Sequence, residues 1–165
     1  MDAVDSVPEL IALADQVGAP QVVAHAAEVP GVALWLQDDL DASAVLLNKS
    51  AGIYQDIDNQ QCAGHFLENT AGWAQRAGRA EDAAVLLGSA SALREDTGIP
   101  TPAYETFLFD QILEAVRNDL GDDLQAALDR GWALSMTKPW ISLRKSRRCE
   151  LRSVGGSLFG CGAAL

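Results

Sequence analysis

Apolar residues recur at helical spacing through most of the chain. Over 80–97, Ala83, Leu86, Leu87, Ala90 and Leu93 follow an i, i+3, i+4, i+7, i+10 rhythm, a single apolar stripe of a helix. Gly98 stops it, and Pro100 and Pro102 mark a loop. Over 60–77, Ala63, Phe66, Leu67, Ala71 and Ala74 keep the same rhythm up to Gly78. The pattern predicts that 60–77 and 80–97 form an antiparallel helical hairpin about a glycine turn, with Ala84 and Leu87 buried.

The same pattern predicts the other elements. Ser6-Val-Pro-Glu9 reads as a capping box opening a helix to about Val17, closed by Gly18. Pro30-Gly31 interrupts the next apolar stretch, and proline inside a helix costs about 3 kcal/mol. Two short helices, 20–29 and 31–37, are therefore expected, followed by one over 40–56. Tyr104, Leu108, Ile112, Ala115 and Val116 line one face over 103–120, with Leu108 and Ile112 expected in the core. Leu124, Ala127, Leu128 and Gly131 line a last helix over about 122–134, expected to pair with 103–120 as a closing hairpin.

A forty-residue offset runs through the sequence. Asp41-Ala-Ser-Ala-Val-Leu-Leu47 recurs as Glu81-Asp-Ala-Ala-Val-Leu-Leu87, and Gln21, His25 and Glu28 meet Gln61, His65 and Glu68. A unit of helix, turn and helix is the pattern of a solenoid, in which each hairpin hides its apolar face against the next. The expected fold class is all-α: stacked helical hairpins of an α-solenoid over 1–137, with an irregular basic tail over 138–165.

Composition and charge agree with helices and narrow the setting. The 165 residues include 27 Ala and 21 Leu against 22 Val, Ile and Thr together, favouring helix over strand. No apolar run approaches the roughly 20 residues of a bilayer span. The start, MDAVDSVPEL, lacks the basic and apolar pattern of a secretory signal. Cys62, Cys149 and Cys161 form no CxxC and cannot all pair, so a soluble, cytoplasmic protein without a membrane partner is expected. The net charge of −11 hides an asymmetry: residues 1–137 carry 6 Lys/Arg and 22 Asp/Glu, residues 138–165 carry 6 and 1. An acidic body of that size repels phosphate backbones, so nucleic acid could be met only through the tail, with Arg144, Lys145, Arg147, Arg148 and Arg152.

Trp73-Ala-Gln-Arg-Ala-Gly78 followed by Ala80, Ala83 and Leu86-Leu87 resembles the glycine-turn and small-residue pattern of tetratricopeptide-like repeats. The stretch Ala83–Arg94, with Gly98-Ile-Pro-Thr-Pro102, Arg117, Leu120-Gly121, Gly131 and Leu134-Ser135, is similar to something narrower. It resembles the C-terminal helical-repeat region of bacterial signalling regulators that join an ATPase module to such repeats, often with a LuxR-type DNA-binding or a cyclase domain. The resemblance covers about 32–137 and implies a protein-binding role in a transcriptional or signalling regulator. No GxxxxGK[ST] occurs, so ATP hydrolysis does not carry over. The family continues into an apolar helix where this chain has Lys138-Pro139-Trp140 and a tail too short for a DNA-binding domain. The chain thus looks like a piece of such a regulator, or a stand-alone relative of one piece.

Candidate chemistry is sparse. His25/Glu28 and His65/Glu68 form two HxxE pairs that could meet as a carboxylate-histidine metal site; duplicated pairs on a solvated face need no metal. Cys62, three residues from His65, lacks a third group to orient a nucleophile and base. Asp38-Asp39-Asp41 and Asp122-Asp123 lack EF-hand spacing and sit where helix starts favour acids. Trp35, Trp73 and Trp132 are expected mainly as core spacers, with Trp140 the most exposed of the four. No catalytic, cofactor or metal residue is assigned, and the expected function is non-enzymatic binding of another protein or peptide.

Overall fold

In the computed structural model, residues 7–57 and 60–137 are described. They form α1 (Val7–Gln16), α2 (Pro20–Leu36), α3 (Leu40–Ile57), α4 (Gln60–Arg76), α5 (Ala80–Thr97), α6 (Ala103–Leu120), a 3-10 turn (Gly121–Asp123) and α7 (Leu124–Thr137), with no strand among the described residues. The all-helical expectation holds. The helices group into two units, α1 to α3 and α4 to α7. The expectations for Ser6 and for the 138–165 tail lie outside the described residues.

The turns explain the helix lengths. After α4 the chain takes a left-handed residue, Gly78 (φ +71°), whose N–H donates to Gln75 O (3.0 Å) while Arg79 N–H donates to Ala74 O (2.9 Å). After α2 the same pair of bonds forms forty residues earlier, Asp38 N–H to Trp35 O (3.1 Å) and Asp39 N–H to Leu34 O (3.0 Å). Both are Schellman closures that satisfy the orphan carbonyls of the helix end. Asp38 adopts φ +64° there, a conformation that glycine takes without strain and that other residues adopt at a cost.

In the first unit α2 and α3 form a hairpin and α1 lies on α2, around Ile11, Ala14, Val23 and Ala27 with Ala26, Leu46 and Ile53 packed against them. The break expected at Pro30 does not occur; α2 is one helix with Pro30 inside it. The reason lies in α3. Ser43 Oγ, fully buried, donates to Gly31 O (2.7 Å), and Gly31 lets Leu47 come so near that a Cβ there would lie 3.2 Å from its Cγ. Packing and a buried hydrogen bond offset the bond that proline removes.

In the second unit α4 and α5 pack as the predicted hairpin, with Ala84 and Leu87 buried. The closing hairpin is different from the expectation. The last helix, α7, packs on α5 and barely touches α6. Glycines make this possible: a Cβ at Gly88 would fall on the Leu128 carbonyl and one at Gly131 on the Val85 carbonyl, so the two backbones touch. Ser89 Oγ donates to Gly131 O (2.9 Å) across the crossing. Small residues at facing positions allowed α7 to claim the α5 surface, and α6 is left as a thin cover. Ile112 and Val116 are buried as expected, but Leu108 is only half-buried and Tyr104 is 82% exposed. On the inner side stand Glu105 and Phe109, each half-buried.

Two stability outcomes follow from these observations. Leu87→Ala should lower unfolding free energy by about 2–5 kcal/mol in urea titration, through lost transfer energy and a residual cavity. Asp38→Gly should raise it by about 0.5–1 kcal/mol in the same titration, by relieving the left-handed strain at the α2 end.

Candidate functional site

The two HxxE pairs are the polar features that the fold treats specially. Their glutamates are not on a solvated face: Glu28 is fully buried and Glu68 is 5% exposed. Burying a carboxylate costs several kcal/mol unless donors meet it, and each hairpin supplies donors from its second helix. Tyr54 Oη donates to Glu28 Oε2 (2.8 Å). Arg94 donates to both oxygens of Glu68, Nε to Oε1 (2.6 Å) and Nη2 to Oε2 (2.5 Å). Tyr54 and Arg94 are themselves forty residues apart, so the acid and its donor recur at the same offset with a different donor. Side chains lean toward the N-terminus of their own helix. In an antiparallel hairpin those of Glu28 and Tyr54 therefore lean toward each other.

The histidines diverge. His25 Nδ1 lies 3.5 Å from Glu28 Oε2, and its ring meets Tyr54 edge-on at 5.7 Å. His65 turns from Glu68 to Glu105 on α6, Nδ1 to Oε2 at 2.9 Å, while Asn69 Nδ2 approaches Nε2 at 3.0 Å. Both ring nitrogens of His65 are thus engaged, one by the α6 carboxylate and one by the neighbouring amide. Thr101 Oγ1 donates to Glu68 Oε1 (3.1 Å), and Arg94 Nη1 to Ile99 O (3.3 Å), tying the loop before α6 to the same cluster. The hydrogen bond to Glu68 holds the Arg94 guanidinium above its ordinary range against the opposing effect of burial, and the charges of Glu68 and Glu105 add to it. Gly64 admits this arginine, since a Cβ there would stand 3.4 Å from Arg94 Cγ.

A recess opens beside this cluster, lined by His65, Glu68, Asn69, Glu105, Leu108, Phe109 and Ile112. Its volume is ≈ 20 Å³, the room of about one water sphere. It can hold a water between polar groups. Taken alone, neither unit brings three His, Cys or carboxylate donors together among its described residues.

The other candidates have plain positions. Cys62 is half-buried at the start of α4, and both ring nitrogens of the nearby His65 are engaged by Glu105 and Asn69. Asp39 serves its helix start, with Oδ1 accepting the Ala42 N–H (3.2 Å). Asp122 and Asp123 are exposed in the 3-10 turn. Trp35 and Trp73 are core residues at 2% and 0% exposure and Trp132 is exposed, while Trp140 and the Arg/Lys cluster lie outside the described residues. The sequence reading missed Tyr54, Arg94 and Glu105; extending the forty-residue offset to polar positions pairs Tyr54 with Arg94, but nothing local points to Glu105.

A different surface carries no charge at all. In α2 the one charged residue is Glu28, which is buried, and the outer side presents Val22, Val29 and Leu36 at 50%, 63% and 45% exposure. No helix among the described residues is long and apolar enough to cross a membrane, so this is not a span in disguise. Comparison with known proteins returns no match among protein-family models, curated proteins or solved structures.

The donors to the buried acids give a sharp test. Arg94→Met leaves Glu68 buried without its cation and should cost about 3–5 kcal/mol. Arg94→Tyr, which copies the arrangement at Tyr54, should lose less. Thermal and urea unfolding of the two variants, compared with the parent, would measure the difference.

Proposed function

We propose that the chain is a non-enzymatic protein-interaction module built from stacked helical hairpins, similar in role to the repeat part of a bacterial transcriptional or signalling regulator and working in the cytoplasm. The observation that carries the reading is the uncharged outer face of α2. Surface helices normally turn charged and polar residues to water, and this one turns Val22, Val29 and Leu36 outward in a body that holds 22 acids over residues 1–137. Exposed apolar rows of this kind mark surfaces that meet a partner. The reading also agrees with solenoid usage, in which the first helix of each hairpin lines the binding groove; α2 is the first helix of its hairpin. The polar cluster around Glu68 supports the scaffold, because its acids are consumed by Arg94, Thr101 and His65 rather than turned toward a substrate-sized cavity.

The reading is tested by immobilising the full chain and the Val22→Lys/Val29→Lys double variant and exposing both to lysate of the source cell. A protein retained in near-stoichiometric amount by the parent and lost from the variant, with circular dichroism unchanged, is the expected outcome. If nothing retained depends on the α2 face, the interaction reading fails.

A further inference from the structure

We propose that α2 pairs antiparallel with the α2 of a second copy of this chain, about a two-fold axis near Val29. The inference rests on the interaction reading above and names its partner.

The exposed row is spaced for such a pair. Val22, Val29 and Leu36 are seven residues apart, and half-buried Ala26 and Ala33 fall between them, the 3.5-residue rhythm of a helix seam. The small alanines at its margin let another helix approach. The row is also symmetric about its centre. A two-fold axis at Val29 sets Val29 against its own copy and Val22 against the partner's Leu36, as a closed two-fold dimer requires of a self-complementary face.

Charge selects the direction. Copies of a body this acidic repel wherever acids meet, and the outer face of α2 brings none. Just beyond its C-terminal end stand the exposed Asp38 and Asp39. With Val29 on the axis, antiparallel packing sets position 38 beside position 20 of the partner, the start of α2. That start is capped by no side chain: Ala19 precedes it and makes no side-chain cap bond. Carboxylates beside the partner's positive dipole end are favourable. Parallel packing would instead set the two acidic turns against each other.

One helix row from each copy makes a small interface of the weak, reversible class, so association should appear as a rising mass with concentration. Sedimentation equilibrium of the full chain, carried to about 1 mM to reach that class, should show the average mass climbing from 17.5 kDa toward twice that value. Val29→Lys and Val29→Glu should each stay at the single-chain mass, and an equimolar mixture of the two should recover the dimer. Val22→Lys mixed with Leu36→Glu should recover it as well, whereas Val22→Lys mixed with Val22→Glu should not. Recovery on mixing shows that each variant still folds. A parent chain that stays at single-chain mass throughout overturns the proposal, as does a Val29→Lys variant that still dimerises, or rescue by the Val22 pair in place of the Val22/Leu36 pair. Should the parent stay monomeric yet retain a different protein through the α2 face, self-pairing falls and the interaction reading stands; if it retains none, both fall.

Discussion

A carboxylate inside a helical hairpin must be met by donors from the opposite helix, and both hairpins of this protein are organised around that requirement. Glu28 and Glu68 occupy the same place in the first helix, and the register of the second helix brings Tyr54 or Arg94 to them. Apolar stripes of Ala and Leu tolerate sliding by a turn, because one small apolar side chain replaces another at little cost. A buried acid tolerates no such slip, since losing its donor costs several kcal/mol. The acid thus specifies one alignment among several that hydrophobic packing would accept. The tyrosine meets one oxygen, while the arginine meets both and also holds the loop through Ile99.

Much of the helical architecture was legible along the chain because it depends on local signals. Gly18, Gly78 and Gly98 ended helices where the apolar rhythm stopped, and the spacing of Leu86, Leu87, Ala90 and Leu93 gave the right buried face. Pro30 signals a break when only its own helix is considered; Ser43 and Leu47, which hold α2 together there, come from the next. The pairing of α7 has the same origin. Gly88 and Gly131 read as weak helix residues when taken singly, but as facing pairs they form the place where two backbones can touch.

The polar site was legible by half. The HxxE pairs drew attention to His25, Glu28, His65 and Glu68, and the forty-residue offset made them equivalent. Their structural partners are not equivalent, and the difference is made by residues far along the chain: Glu105 takes His65 away from Glu68, and Arg94 takes its place. Spacing within a helix says which side chains share a face. It is silent on which of them a later helix will engage.

The order of the helices in the second unit has a kinetic meaning. Because α7 docks on α5, the chain must run out through α6 and return before the Gly88–Gly131 crossing can form. The α4–α5 hairpin closes over a three-residue turn, whereas Ser89 and Gly131 are forty-two residues apart, and the entropy of closing that larger loop must be met before the contact gives anything back. The hairpin is therefore an early event and the crossing a late one.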